Sequence, residues 1–324
     1  MRAWQLHELG DPIEKLELCE IPDPPEPDAG QVTVSIEAVG ISFPDVLQCR
    51  GEYQIKPPLP WTPGGESSGT VSAIGQNVTS LEVGDKVMML GGGLIEQVNA
   101  NEISLWKIPD KVPMEKAAAI PVNYGTTWFA LHDRARIAAG ETLLVTGAAG
   151  GTGSAAIQLG KAAGAKVIAI TGGGEKTSQA KVLGADHVID HQINPEWVDE
   201  VRDLSGGGVD VAYDPVGGET THNVRRCMAW DGRLLIIGFV AGIPDLPANH
   251  ILLKNYSVVG VHWGASLGRN PQSLHNQMES VLQLAGTGGV DPLIFPPYEY
   301  QSGAQAIQDL ADRKTWGKVV VRVG

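Results

Sequence analysis

The sequence has little cysteine: Cys19, Cys49 and Cys227 are the three in 324 residues, odd in number and far apart. That excludes a disulfide framework and any Cys-rich zinc site, which would need clustered thiolates. Isolated reduced thiols packed as small hydrophobes are expected. Positive charge is scarce as well, with 24 Lys and Arg against 37 Asp and Glu, a net charge of −13. Such a field repels phosphate backbones and anionic lipid surfaces, so neither nucleic acid nor a membrane is an expected partner. No apolar run approaches the ~18–20 residues that span a bilayer. The start, Met1-Arg2-Ala3-Trp4-Gln5-Leu6-His7-Glu8, has no apolar leader segment. These absences predict a soluble, cytoplasmic protein.

Glycine, by contrast, is abundant: 41 of 324 residues, about 13% against a usual level of roughly 7%. With 43% hydrophobic residues the chain can bury a sizeable core, and its length suggests two domains. Proline divides it. Thirteen of the 21 lie before residue 122, and none lies between Val122 and Asn194. The early segment alternates turn-rich stretches with strand-like runs such as Gln31–Val39 and Gly69–Ile74.

From about Val122 apolar strands alternate with Gly-rich turns and helices. Strands are expected at Thr142–Thr146, Lys166–Thr171, His187–Asp190, Val209–Tyr213, Arg233–Gly238 and Val258–Val261. Helices are expected near Gly153–Ala163, Glu175–Leu183, Pro195–Leu204, Glu219–Met228 and Pro271–Ala285. This pattern predicts an α/β fold with a doubly wound six-stranded parallel sheet. After residue 290 a helix near Ser302–Arg313 and a strand Lys318–Val323 would return to close the first domain's sheet. The expected domains are 1–121 with 290–324, β-rich, and 122–289, dinucleotide-binding.

The strongest motif is Thr142-Leu143-Leu144-Val145-Thr146-Gly147-Ala148-Ala149-Gly150-Gly151-Thr152-Gly153. An apolar strand runs into a glycine turn that opens a helix, presenting amides and the positive helix end to a pyrophosphate. Gly150 would admit the phosphates and Gly153 would let helix pack on strand, while Ala148 stands where the first glycine is usual. The second strand selects the cofactor. It ends in Thr171-Gly172-Gly173-Gly174-Glu175-Lys176, with no carboxylate at its tip to hold a ribose 2′-hydroxyl. The glycines leave room for a 2′-phosphate and Lys176 supplies a countercharge, so NADPH is expected over NADH, with Glu175 the residue that could admit NADH. His7, His132, His187, His222, His250 and His275 have no metal-ligand spacing and are assigned no chemistry.

At these residues, and at Gly40-Ile41-Ser42-Phe43-Pro44-Asp45, Arg50-Gly51-Glu52-Tyr53, Pro63-Gly64-Gly65-Glu66, Val83-Gly84-Asp85-Lys86-Val87, Gly184-Ala185-Asp186 and Gly317-Lys318-Val319-Val320, the chain resembles the medium-chain dehydrogenase/reductase superfamily. Within it the chain is similar to the zinc-independent quinone oxidoreductase-like branch. The resemblance implies a Rossmann domain inserted into a GroES-like domain, and a homodimer. In the alcohol dehydrogenase branch a Cys would stand at Ser42, a His at Gly65 and another Cys near Val122, so no metal site is expected. The implied cofactor contacts are Ala149, Gly150, Gly151, Thr152, Gly153 and Thr171, with Lys176, His191 and Arg313 around the 2′-phosphate. Gly238, Phe239 and Val240 would border the nicotinamide amide, and His262, the last implied cofactor contact, would line the far wall with Trp263. Ser42 and Tyr53 are the implied catalytic donors, and Glu66 and Asp85 are expected to be structural.

The expected function is therefore NADPH-dependent, zinc-independent reduction of a quinone or α,β-unsaturated carbonyl by direct hydride transfer in a cleft between the domains. Two alternatives stand beside it. One is an enoyl-thioester reductase with Arg269 and Lys254 at a CoA channel. The other is a non-catalytic NADPH-binding sensor or structural protein.

Overall fold

The computed structural model describes the backbone of all 324 residues and every side chain except that of Pro271. The chain divides into two compact units, Met1–Val122 with Pro292–Gly324, and Asn123–Asp291.

The first unit begins with β1 (Arg2–Leu6), α1 (Pro12–Lys15), β2 (Leu16–Glu20), β3 (Gln31–Ile41), α2 (Phe43–Cys49), β4 (Glu66–Ile74), β5 (Lys86–Leu90), β6 (Gln97–Asn101), β7 (Leu105–Lys107) and α3 (Met114–Ala117). The central strand β3 is rich in β-branched residues, which suit a pleated, half-buried surface. Val32, Val34, Ile36, Val71, Val87 and Met89 enter one core. β1 and β2 form a separate antiparallel pair.

The second unit holds α4 (Pro121–Trp128, its first residues shared with the first unit), β8 (Thr142–Val145), α5 (Gly151–Ala162), β9 (Lys166–Thr171), α6 (Gly174–Val182), β10 (His187–Asp190), α7 (Trp197–Leu204), β11 (Val209–Asp214), α8 (Gly218–Cys227), β12 (Met228–Ile236), α9 (Ala248–Lys254), β13 (Ser257–Gly260), α10 (Trp263–Leu267) and α11 (Pro271–Thr287). Its sheet has the order β10-β9-β8-β11-β12-β13, and every pairing is parallel. The order reverses between β8 and β11, which is where a doubly wound sheet opens a crevice at its carboxyl ends.

The chain then returns to the first unit with α12 (Gly303–Ala311) and β14 (Val319–Arg322). β14 pairs antiparallel with β3, in the sheet order β14-β3-β4-β5-β7, and β6 also pairs β3.

Some expected bounds are corrected. The strand expected at Arg233–Gly238 starts at Met228, because a register shift between Val209 and Val211 lets β12 pair early. The helix expected from Pro195 starts at Trp197. Helix α9 was not anticipated, because its seven residues expose Leu252 and Leu253 and so carry no amphipathic period. The Gly91–Gly93 run is more than an ordinary turn. All three residues have positive φ, and a Cβ on Gly92 would lie 2.1 Å from Ser67 Oγ, which itself donates to the Gly91 carbonyl.

Candidate active site

In the second unit, β8 delivers its chain into the glycine turn and α5 starts at Gly151 with Gly150 as N-cap. The amides of Gly151, Thr152 and Gly153 therefore sit in a first turn that has no intrahelical acceptors. The glycines differ in what surrounds them. A Cβ on Gly153 would strike the Gly147 carbonyl at 2.2 Å and Ala148 Cα at 2.8 Å, whereas one on Gly150 would meet only the Gly147 carbonyl, at 3.2 Å. Gly153 thus lets the helix approach its strand, and Gly150 leaves one side of the turn open to a ligand. Gly151 faces Asn123, whose amide nitrogen would be 2.6 Å from a Cβ there. Ala148 and Ala149 are buried.

The tip of β9 has its own support. The Asp190 carboxylate, from the end of β10, accepts the amides of Gly173 (3.1 Å) and Gln192 (3.0 Å). Those amides hold its carboxyl below the ordinary range. His191 lies against Gly172, where a Cβ would be 2.7 Å from its Nε2. Lys176 stands in the first turn of α6. Thr171 is buried, and its hydroxyl exchanges a 2.8 Å hydrogen bond with Thr177. Any contact it makes to a cofactor would therefore come from its backbone.

Asp214, almost fully buried at the end of β11, is a residue that sequence reasoning missed. It accepts the hydroxyls of Thr146 (2.7 Å) and Thr221 (2.5 Å) and the amides of Val216 (3.0 Å) and Gly217 (3.3 Å). The turns after β8 and β11 are thereby fastened to one carboxylate. Beyond them Gly238 and Val240 lie beside the Pro215 carbonyl, and Phe239 is exposed. His262 caps α10, its Nδ1 accepting the Ala265 amide at 3.1 Å. Trp263 corrects an expectation. It is buried against Gly125 with its indole donating to Gln277 at 2.9 Å, so it belongs to the unit's interior rather than to an open wall.

In the first unit the outstanding feature is a buried ion pair. Extending the β14–β3 register by one residue sets Lys318 opposite Ser42, and Glu66 pairs with Gly40 on the other side of β3. Lys318 is 2% exposed and Glu66 fully buried. The Lys318 ammonium donates to Glu66 Oε1 and, at 2.5 Å, to Ser42 Oγ. Glu66 Oε2 accepts the Val122 amide at 2.8 Å. Burial pushes the Glu66 carboxyl up, and the ammonium pulls it back. Gly40 makes room for the pair, since a Cβ there would be 2.3 Å from the Ala118 carbonyl and 2.8 Å from both Glu66 Cγ and Lys318 Cε. The local sequence marked Lys318 only as part of the Gly317-Lys318-Val319-Val320 match and gave it no role.

Asp45 is buried too and accepts the amides of Ser42 (2.7 Å) and Gly64 (2.9 Å). Desolvation raises its pKa, against those bonds. Tyr53 is half-buried and, among the described residues, its hydroxyl has no hydrogen-bond partner. Desolvation, then the nearby Asp45 charge, raise its pKa, so it stays a donor at neutral pH. Asp85 accepts the Lys107 ammonium and the Glu82 amide, a structural role. Arg313 follows α12 at an exposed position with φ of 59°.

These residues fit one of two possible groups. The open turn at Gly150, the helix start at Gly151 and the glycine tip of β9 suit a dinucleotide. The positions where the resemblance would place zinc ligands hold Ser42, Gly65 and the neighbourhood of Val122 instead. Ser42 Oγ already accepts from an ammonium, and a Cβ on Gly65 would meet nothing within 4 Å. That donor set does not fit a zinc ion.

Two family patterns match the chain: the alcohol dehydrogenase GroES-like domain over residues 28–110 and the zinc-binding dehydrogenase pattern over residues 151–286. Quinone oxidoreductase-like protein 2 of Mus musculus is 38% identical over 325 residues, covering 99% of this chain and 91% of that protein. The quinone oxidoreductase of Thermus thermophilus, solved also with NADPH, superposes with a TM-score of 0.84 at 32% identity, over 99% of this chain and all of that one. The CurK enoyl reductase superposes at 0.89 with 26% identity, over 99% of this chain and 98% of that one. The chain therefore belongs to the medium-chain dehydrogenase/reductase superfamily, in its quinone oxidoreductase-like branch, and is an NAD(P)-dependent oxidoreductase.

Proposed function

We propose that the protein reduces a quinone or an α,β-unsaturated carbonyl with NADPH and without zinc. The observation that carries this reading is the buried Lys318–Glu66 pair, whose ammonium bonds the serine where an alcohol dehydrogenase would place a zinc ligand. Lacking a Lewis acid to stabilise an alkoxide, the site suits an acceptor that is already electrophilic.

The bound nicotinamide supplies a hydride. The chain's residues bind, orient and protonate. The turn Ala149–Gly153 would hold the pyrophosphate on the first-turn amides of α5. Lys176 and His191 would flank the 2′-phosphate. Support for NADPH comes from the tip of β9, where Gly172–Gly174 offer space and the one nearby carboxylate of β10, Asp190, is committed to loop amides. The backbone around Gly238, Phe239 and Val240 would border the nicotinamide amide, and His262 would line the far wall of the cofactor site. Tyr53 is the stronger candidate to donate a hydrogen bond to the oxyanion that develops on the acceptor, because its phenol is unengaged. Ser42 already accepts from Lys318, and its own proton has only a 3.3 Å contact to Glu66, so it is the second donor. A cytoplasmic location and a homodimer joined along the edge strand β13 belong to the same proposal.

Lys254 gives no support to an enoyl-thioester channel, since its ammonium donates to the Arg226 and Met228 carbonyls at the end of α8. Single-turnover mixing with NADPH tests the proposal. Quinones and simple enones should oxidise the cofactor, and Tyr53→Phe should slow turnover about 10- to 100-fold with NADPH affinity unchanged. Preference for acryloyl- or crotonyl-thioesters would replace it with the enoyl-thioester reading. Tight NADPH binding with no turnover would favour a sensor.

A further inference from the structure

We infer that the β1–β2 pair carries a binding site for a borderline divalent ion such as Zn²⁺, formed by His7, Glu17 and Cys19 and separate from the hydride-transfer site. The antiparallel register sets Gln5 opposite Glu17 and Ala3 opposite Cys19. Glu17 and Cys19, two apart on β2, therefore share a face, and His7, in the bend just after β1, brings its imidazole to them. The result is one imidazole nitrogen, one carboxylate oxygen and one sulfur, all within 4.8 Å of one another. Among the described residues no other group of three His, Cys, Asp or Glu side chains comes together in this way.

The spacing suits a tetrahedral ion. With Zn–S near 2.3 Å and Zn–N near 2.0 Å, sulfur and nitrogen on one zinc lie roughly 3.5 Å apart. Here Cys19 Sγ and His7 Nε2 are 3.7 Å apart before any ion is added. Glu17 and His7 are exposed and Cys19 is half-buried, so the carboxylate closes the third position by rotating a solvent-facing side chain, and water takes the fourth. The mixed S, N, O set selects zinc-like ions over Mg²⁺ or Ca²⁺, which require oxygen ligands. Binding converts the thiol to a thiolate and releases its proton to solvent. The ion would tie the end of β1 to β2. Sequence spacing concealed the site because His7 is 10 and 12 positions from its partners, and only the pairing of β1 with β2 and the bend after β1 join them.

The test uses the full chain, reduced and metal-stripped, titrated with Co²⁺ as an optical probe and then with Zn²⁺. One Co²⁺ per chain should bind with a thiolate-to-cobalt charge-transfer band, and Zn²⁺ should displace it. Cys19→Ser should abolish the band, and His7→Ala and Glu17→Gln should each weaken binding about tenfold or more. Because all three side chains reach solvent, the melting temperature without metal should match the wild type and certify folding. NADPH oxidation should be unchanged by Cys19→Ser. Absence of the band, its survival in Cys19→Ser, or equal affinity in His7→Ala and Glu17→Gln would overturn the site and leave only a thiol–imidazole contact.

Discussion

The two units secure their chemistry-bearing parts by opposite means. The first encloses charge: Lys318, Glu66 and Asp45 are all buried, and a glycine strand position makes room for the Lys318–Glu66 pair. The second keeps its charged anchor, Asp214, inside and presents backbone at the surface, with glycines where a ligand must come close. A cofactor common to a superfamily is met by main chain, which any sequence with suitable glycines can supply. The first unit instead relies on charged side chains, an ammonium held between Glu66 and Ser42, to set the chemistry of its centre.

The largest effect should come from breaking the enclosed charge. Lys318→Met leaves the Glu66 carboxylate buried without its cation and should cost about 3–5 kcal/mol of stability. The double variant Lys318→Met/Glu66→Leu should recover most of it in denaturant unfolding. A single variant as stable as the wild type would show that the pair holds nothing together. Gly40→Ala sharpens the same point through space alone. It should cost about 1–3 kcal/mol by overpacking, while Gly65→Ala, next to Glu66 but facing open space, should stay within about 0.5 kcal/mol.

In the second unit, Lys176→Ala should raise the KM for NADPH about tenfold, worth about 1.4 kcal/mol, and leave that for NADH nearly unchanged. Equal changes for both cofactors would remove the 2′-phosphate role. The smallest effect concerns pH. Asp190 has a folded pKa held below its ordinary value of about 3.9 by the Gly173 and Gln192 amides. Its contribution is therefore complete above that value and is lost as pH falls through the lower folded pKa. Asp190→Asn should flatten this part of the acid limb in thermal unfolding, and an unaltered limb would assign the acid sensitivity elsewhere.

Much of the second unit was legible because its signals are local. The run Thr142–Gly153 carries strand, turn and helix start in twelve consecutive residues, and apolar strands spaced by helices dictate a parallel sheet. Bounds slipped where pairing overrode local pattern, as at Met228. The first unit was legible in outline, through its prolines and alternating runs. Its polar centre was not, because Ser42 and Lys318 are separated by 276 positions and meet only when β14 lies beside β3. Trp263 was misplaced for a related reason: an aromatic residue after a strand reads equally as pocket wall or as core, and Gly125 decides it by leaving space for the indole.

By itself the sequence determined the fold class and the dinucleotide turn, since each depends on residue identity at short range, while the resemblance to the alcohol dehydrogenase branch implied the zinc-type side chains missing at Ser42 and Gly65. The tertiary structure decided which charges meet. Strand register, acting over hundreds of residues, set Lys318 against Glu66 and Ser42, and the neighbouring strand β8 brought the Thr146 hydroxyl to Asp214. Such pairings follow from how a burial pattern closes in space, a property no local stretch of the chain contains.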